Sequence, residues 1–199
     1  DADEIKSTLV LRDAEIEHLS HPIRKALAME FVLKNTRISC DCRDIFPNVN
    51  AIDRPINTAI TSRWQREVLG TIVAEAGRER AYFEKMGMAA IYPDYDHSLP
   101  VWEKIFELGF LGILENSERI RASRPRNQEE NDFFEGIRLT YSAVLAFIDR
   151  LTELAERTRG SEMMAAALKN IRSNPPKTFY EALLVSYLYF IISEHIDVL

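Results

Sequence analysis

Three things are scarce in this sequence: glycine, cysteine and clustered positive charge. Only seven glycines and eight prolines occur in 199 residues, which leaves long uninterrupted segments and favours helices over many short strands. The two cysteines are too few for a disulfide framework. The net charge is −6 and no run of Lys or Arg exceeds two residues, so the basic stripe of a nucleic-acid-binding protein is absent. Nucleic acid and anionic membrane surfaces are therefore not expected partners.

Long apolar runs are also absent. The longest, Ala182 to Ile192, is interrupted by Ser186, is far short of a bilayer span, and is typical of a buried helix. The chain opens on the acidic segment Asp1-Ala2-Asp3-Glu4, whereas a secretory signal opens on basic residues. Together with the low cysteine content, this favours a reducing, cytoplasmic location.

What the sequence does contain is the periodicity of amphipathic helices. We predict an all-α fold, an irregular multi-helix bundle, that forms a single domain over residues 1–199. Its first part, residues 1–125, holds helices and loops, and its second part, residues 131–199, holds a long helix and a buried C-terminal helix. The predicted helices are Asp3–His18, Pro22–Asn35, Asn57–Lys85, a short helix that contains Trp102 and ends at Gly109, Leu111–Ser123, Asp132–Arg159 and Ser161–Arg172.

Two apolar stripes locate the expected core. In the second helix Ile23, Leu27 and Phe31 recur at i, i+4 and i+8 and predict its inner face. In the long helix the stripe advances by alternating steps of four and three residues, and Gly160 is expected to end that helix. This second stripe consists of Ile137, Tyr141, Val144, Ile148, Leu151 and Ala155.

The C-terminal helix begins with a capping-box pattern. The Thr178 hydroxyl is expected to serve the backbone N–H three residues on, while the Glu181 side chain reaches back. Apolar residues then cover nearly every side, so we expect this helix to be buried on every side. Two explanations stay open: it is the central helix of this chain's own bundle, or a further part of a longer polypeptide covers one side.

Four segments follow one another in an order that resembles a known family. They are Ile45-Phe46-Pro47, the segment Tyr95–Trp102, the segment Leu108–Ile113, and the series from Asp132 to Leu183. In this order and spacing, the chain resembles the N-terminal region of the pyruvate formate-lyase-like glycyl radical enzymes. The resemblance implies the helical part of these radical lyases, dehydratases and acyltransferases, truncated before the core of their α/β barrel.

The resemblance also implies which parts of the chemistry are missing. In the family, a radical SAM activase installs a glycyl radical on a C-terminal loop. This radical generates a thiyl radical on a cysteine, and the thiyl radical abstracts a hydrogen atom from the substrate. This chain has no Arg-Val-x-Gly-Tyr-like segment and no Gly-Cys loop, and Cys40 and Cys42 lie too early for the thiyl role. We therefore expect no catalytic residue and no cofactor in this chain, and no activity from it alone.

One family feature is retained around His97. In several family members the corresponding segment places a Gly-His pair at the substrate cavity, where the histidine bonds a substrate atom. The resemblance thus implies substrate contact for His97, Asp96 and Trp102. Asp96 stands where glycine is usual and Val101 where aspartate is common, which is compatible with a different substrate or with no cavity. From the residues alone, the cluster of Asp94, Asp96 and His97 suits a cation or acid–base chemistry. The simpler interpretation, which we favour, is that the aspartates anchor the N-terminus of the next helix.

Two short patterns resemble metal sites, and each has a simpler explanation. Cys40-Asp41-Cys42 lacks the second pair of ligands that a structural zinc site requires. Glu15-x-x-His18 occurs on a mostly charged helix, whereas a di-iron bundle needs two such motifs and two further glutamates. We therefore predict no metal site.

The expected partner is the remainder of the barrel, and the resemblance also admits a homo-oligomer. A second hypothesis is a non-catalytic helical interaction module that self-associates, or binds a partner, through its apolar C-terminal helix. The two hypotheses differ in whether the reading frame continues past Leu199 into a Gly-Cys loop and a terminal Gly-Tyr segment.

Overall fold

The computed structural model describes residues 2–49, 70, 74–79, 81–88 and 100–196. Most of the predicted helix Asn57–Lys85 lies outside these residues, although 74–79 and 81–85 are helical. Helices form nearly all the regular structure described, so the predicted all-α multi-helix fold is confirmed. The elements are α1 (Ala2–Glu15), α2 (His21–Asn35), β1 (Ile38–Ser39), β2 (Asn48–Val49), α3 (Trp102–Ala122), α4 (Gln128–Arg157), α5 (Glu162–Ser173) and α6 (Phe179–Ile196).

Helix α4 packs against α2, α3 and α5 and carries the centre of the core. It begins at Gln128, four residues before the predicted Asp132, because Asn127 and Glu130 form a capping box. The Asn127 side chain accepts a hydrogen bond from the Glu130 N–H at 2.8 Å, and the Glu130 carboxylate accepts one from the Asn127 N–H at 3.1 Å. The predicted stripe is buried at Val144, Ile148, Leu151 and Ala155, and half-buried at Ile137 and Tyr141.

Two glycines with positive φ shape the ends of helices. Gly160 (φ 90°) follows α4, as predicted. Gly109 (φ 64°, ψ 176°) separates two helical halves of α3, so the predicted helix end at Gly109 is a kink inside α3. A Cβ at Gly109 would lie 3.0 Å from the Asn174 carbonyl oxygen, so this glycine also lets the kink approach the α5–α6 connection.

The predicted inner face of α2 is wrong. Ile23, Leu27 and Phe31 are only half-buried, and the helix turns a different set of residues toward its neighbours. The physical reason is that α2 lies between two helices, with α4 on one side and α1 on another, so its burial follows two directions. The fully buried apolar residues of α2 are Ala26, Met29, Val32 and Leu33.

The contacts that hold helix α1 to α2 include a small apolar cluster and a buried ion pair. Leu9 packs against Val32, both almost fully buried. Arg24 donates two hydrogen bonds to the Asp13 carboxylate, at 3.2 and 2.9 Å, and the two side chains are 8% and 2% exposed. Because both charges are removed from water, loss of either partner should loosen α1.

Helix α6 has a buried apolar face and, within the described part of the chain, an exposed one. Leu184, Val185, Leu188 and Ile192 are buried against the bundle, while Phe179, Leu183 and Phe190 are 80%, 40% and 55% exposed. The expectation that this helix is buried on every side is therefore wrong, because none of the described residues covers the side that carries Phe179, Leu183 and Phe190. The predicted capping box is confirmed, with the Glu181 N–H donating to Thr178 Oγ1 at 3.2 Å and the Thr178 N–H to Glu181 Oε2 at 3.1 Å.

The main core draws side chains from α2 through α6. The division into parts 1–125 and 131–199 stays a prediction. Among the described helices, none has the length and apolar character that crossing a membrane requires.

Candidate functional site

Of the predicted site residues, only Trp102 falls within the described part of the chain; His97 and Asp96 lie outside it. Trp102 opens α3 and is half-buried in an aromatic cluster. Its ring stacks on Phe106 at 5.6 Å between centroids and meets Tyr189 edge-on at 5.3 Å and Phe190 at 5.6 Å. These contacts hold α3 against α6, and the substrate role of Trp102 stays a prediction.

The exposed side of α6 carries three large apolar side chains, which we call the outer stripe and define as Phe179, Leu183 and Phe190. The three residues are spaced at i, i+4 and i+11 and therefore lie on one side of the helix. Trp102 borders the stripe through its contact with Phe190. Exposed apolar side chains on one side of a helix make this side a candidate contact surface.

The loop between β1 and β2 fixes the orientation of α6. Tyr180 donates its hydroxyl hydrogen bond to the Ile45 carbonyl at 2.7 Å, and Tyr187 donates to the Pro47 carbonyl at 2.6 Å. The Phe46 ring stacks on Tyr187 at 4.9 Å and on Tyr180 at 6.2 Å. Burial raises the pKa of both phenols, which therefore stay protonated donors at neutral pH.

The two cysteines of this loop have different surroundings. Cys40 Sγ lies 3.4 Å from Ser161 Oγ and 3.7 Å from Met164 Sδ, so its neighbours are neutral. Cys42 is exposed, and the Asp41 carboxylate beside it raises the pKa of its thiol. Reactive cysteines need the opposite, a neighbouring positive charge that lowers the pKa.

Metal ligation finds no support in the described ranges. They contain no group of three or more His, Cys, Asp or Glu side chains arranged to hold a metal ion. Glu15 and His18 are both exposed at the end of α1.

A cavity of about 300 Å³ lies between α2, α4 and α6, and we call it the interhelix cavity. Its apolar lining comes from these three helices and from Phe110 of α3. Gly136 stands at one edge, where a Cβ would come within 2.9 Å of the Pro22 carbonyl oxygen, so α2 and α4 touch there. The polar lining consists of Lys25, Thr140, Tyr141, Tyr189 and Ser193.

Tyr141 is the polar group most affected by this setting. Burial, and then the nearby Tyr189, raise the pKa of Tyr141 to about 12, so its hydroxyl stays protonated. Sequence reasoning placed Tyr141 in the apolar stripe of α4 and missed the cavity. The sequence feature that could have indicated the cavity is the pair Thr140-Tyr141, which places two hydroxyls beside the half-buried end of the apolar stripe.

Comparison with known proteins now adds to this geometry. Residues 27–196 match the family model described as pyruvate formate lyase-like. The chain belongs to this family. The predicted resemblance is therefore confirmed, and the match omits α1 and the start of α2.

A solved structure supports the fold independently. The chain is similar to a glycyl radical enzyme from Archaeoglobus fulgidus, with a TM-score of 0.70 and 18% sequence identity. The similarity covers 94% of this chain but only 31% of that enzyme, so the chain spans about a third of its length. At this identity the comparison establishes the fold alone. No curated protein matches the chain.

Proposed function

We propose that this chain is the N-terminal helical domain of a longer pyruvate formate lyase-like glycyl radical enzyme of the lyase, dehydratase or acyltransferase class, acting in the cytoplasm. The observation that carries the proposal is the uncovered outer stripe of α6, in a chain similar to about a third of a glycyl radical enzyme. Family membership over residues 27–196 supports it. In this role the helices surround part of the barrel and form one wall of its substrate cavity.

The chain by itself is inactive in this proposal. Hydrogen abstraction by this family requires a glycyl radical and a thiyl cysteine, and the longer protein would carry both, with the radical installed by a radical SAM activase. The chain's own residues do not fit these roles, because its sequence has no Gly-Cys loop and no Arg-Val-x-Gly-Tyr-like segment. Incubation of the chain with such an activase should give no glycyl radical signal in electron paramagnetic resonance, and a radical signal would overturn this part.

The outer stripe is the surface that contacts the rest of the enzyme. Burial of each of its large apolar side chains is worth roughly 1.5–3 kcal/mol, which is enough for three residues to anchor the domain. In the isolated chain the same surface remains exposed to water. We therefore expect the chain alone to self-associate through it.

Light scattering with two substitutions tests this surface. Phe179→Glu and Leu183→Glu each place a charge in the outer stripe, and both should reduce the concentration-dependent association of the chain. Met163→Glu is the matched control, because Met163 is 68% exposed on α5 and belongs to a different surface. Wild-type chain that stays strictly monomeric at all concentrations, or equal loss of association in the Met163 variant, would contradict the assignment.

Substrate contact by His97, with Asp96 and Trp102 beside it, is part of the proposal and concerns the longer enzyme. His97→Ala in that enzyme should reduce turnover while the glycyl radical signal stays intact. Unchanged turnover would remove His97 from the site. Trp102 is the poorer probe because its ring contacts Phe106, Tyr189 and Phe190, so its replacement also disturbs packing.

The exposed stripe also favours a second candidate, a helical module that retains the family fold and binds a partner or itself through α6. In that case the self-association measured above is the function and not a consequence of an uncovered surface. The reading frame separates the two: a stop codon close after Leu199 favours the module.

A further inference from the structure

The outer stripe of α6 has the spacing of a helix that packs against another helix. Its members are Phe179, Leu183 and Phe190. The half-buried Ser186 falls on the same line, so the steps along this side are four, three and four residues, as in the seam of a coiled coil. At 3.6 residues per turn these four positions lie within a sector of about 60°, and the buried Leu188 lies on the opposite side of the helix.

The sizes of these four residues make the line complementary to an antiparallel copy of itself. In such a pair Phe179 lies opposite Phe190 of the second copy, and Leu183 lies opposite Ser186 of the second copy, because the stripe is symmetric about a point between Leu183 and Ser186. A parallel pair in register would instead oppose the two leucines and leave a gap between the two serines. The antiparallel arrangement alone places each large central side chain against a small one.

Charge also permits this contact. Glu181 is the one charged residue among positions 179–193 of α6, and its carboxylate accepts hydrogen bonds from the backbone N–H groups of Lys177 and Thr178, at 2.6 and 3.1 Å. It is two residues from Phe179 and therefore lies on the other side of the helix. Two copies can thus meet along this side without opposing like charges.

The exposed area sets the expected strength of the contact. The three members of the outer stripe are 80%, 40% and 55% exposed. With about 200 Å² for a side chain of this size, they expose roughly 350 Å² in each copy and roughly 700 Å² in a pair. Stable interfaces bury more than about 1,200 Å² in total, so this area corresponds to a weak dimer that forms with rising concentration.

We propose that the outer stripe docks a second copy of this chain, with the two α6 helices antiparallel and Leu183 of each copy packed over Ser186 of the other. Both copies use the same surface, so the contact closes at two chains and does not continue into larger aggregates. This inference rests on the self-association through the outer stripe proposed above, and it adds the partner, the direction and the register.

Sedimentation equilibrium of the 199-residue chain with size-exchange variants tests the register. Leu183→Ser leaves the space over Ser186 empty at both related positions and should weaken the dimer at least about tenfold. Ser186→Leu opposes two leucines and should weaken it by a similar factor. The double variant, Leu183→Ser with Ser186→Leu, restores one large and one small residue in each pair. It should recover most of the lost affinity, a coupling that independent sites do not show.

Disulfide trapping gives a second measurement of the same register. With Cys40 and Cys42 both replaced by serine, a mixture of Phe179→Cys and Phe190→Cys chains should form a covalent dimer under mild oxidation. Either chain alone should not, because the two copies of one position are separated by eleven residues of helix, about 16 Å, in the antiparallel pair. A covalent dimer of the Phe179→Cys chain alone would overturn the antiparallel arrangement.

Met163→Ser is the matched control for the size-exchange variants, because it removes a large exposed side chain from α5 and should leave the dimer unchanged. Circular dichroism should show the same helical spectrum for every variant, since Leu183 and Ser186 lie outside the core. A strictly monomeric chain would overturn this inference together with the self-association on which it rests. Weakening by both single variants without recovery in the double variant would overturn the register alone. The reading frame after Leu199 decides the role in a longer enzyme independently of either result.

Discussion

Replacement of Gly136 by alanine tests how closely α2 and α4 approach. A Cβ at this position would lie 2.9 Å from the Pro22 carbonyl oxygen, 3.0 Å from Pro22 Cβ and 3.1 Å from the Pro22 carbonyl carbon. Two of these atoms are backbone, so the new methyl group is accommodated only if the helices separate. Overpacking of this kind typically costs about 1–3 kcal/mol, and alanine returns about 1 kcal/mol through its higher helix propensity.

The net destabilisation expected for Gly136→Ala is therefore about 1 kcal/mol, which lowers the Tm of a domain of this size by about 2–4 °C. Thermal unfolding followed by circular dichroism measures it. Gly77→Ala is the matched control, because Gly77 is helical and exposed and a Cβ there meets no atom within 4 Å. Its Tm should equal or exceed that of wild type. If Gly136→Ala is as stable as Gly77→Ala, α2 and α4 do not touch at this point and the geometry argued for the interhelix cavity is wrong.

Three further predictions concern a cap, a surface ion pair and a buried one. Thr178→Ala removes the capping hydroxyl of α6 and should cost about 1 kcal/mol in urea unfolding, whereas an unchanged midpoint would show that the cap is not formed. Hydrogen bonds from Arg138, and to a lesser extent from Arg121, lower the pKa of Glu135 from 4.5 to about 2. The stability that the ionised Glu135 contributes to the fold is therefore complete above pH 4.5 and is lost as the pH falls toward 2. Glu135→Gln should flatten the acid side of the profile of unfolding free energy against pH, and an unaltered profile would contradict the pairing. Asp13→Ala leaves Arg24 buried without its carboxylate and should raise hydrogen exchange in α1 much more than in α4, while equal exchange in both helices would show that α1 is held by other contacts.

Helix positions could be predicted from the sequence because the residues that begin and end a helix are its near neighbours in the chain. Helix α5 was expected at Ser161–Arg172 and runs from Glu162 to Ser173, with Gly160 before it as predicted. The cap of α6 at Thr178 also depends on neighbours only three residues apart. Such signals need no knowledge of the rest of the fold.

The faces that these helices bury depend on packing and were predicted less well. Helix α2 contacts α1 and α4 on different sides, so the stripe through Leu27 did not mark its core. Nothing local to Gly136 indicates that Pro22 lies against it. The cavity that Tyr141 lines is also formed by residues of other helices. Because these residues are distant in sequence, the sequence did not predict the cavity.

The apolar composition of α6 predicted a helix buried on every side, and it did not indicate which side the described residues leave exposed. Leu188 on one face is fully buried, while Phe179 on the other is largely exposed. Composition alone does not distinguish these faces, because both are apolar. The distinction comes from the direction in which α5 and α3 approach.

The most direct test of the account is the coding sequence that follows the codon for Leu199. If these helices are one region of a glycyl radical enzyme, the frame continues and encodes a Gly-Cys loop and, near its end, a Gly-Tyr segment. A stop codon soon after Leu199, with neither segment encoded, would contradict the proposed function and leave a helical module that uses the outer stripe for association.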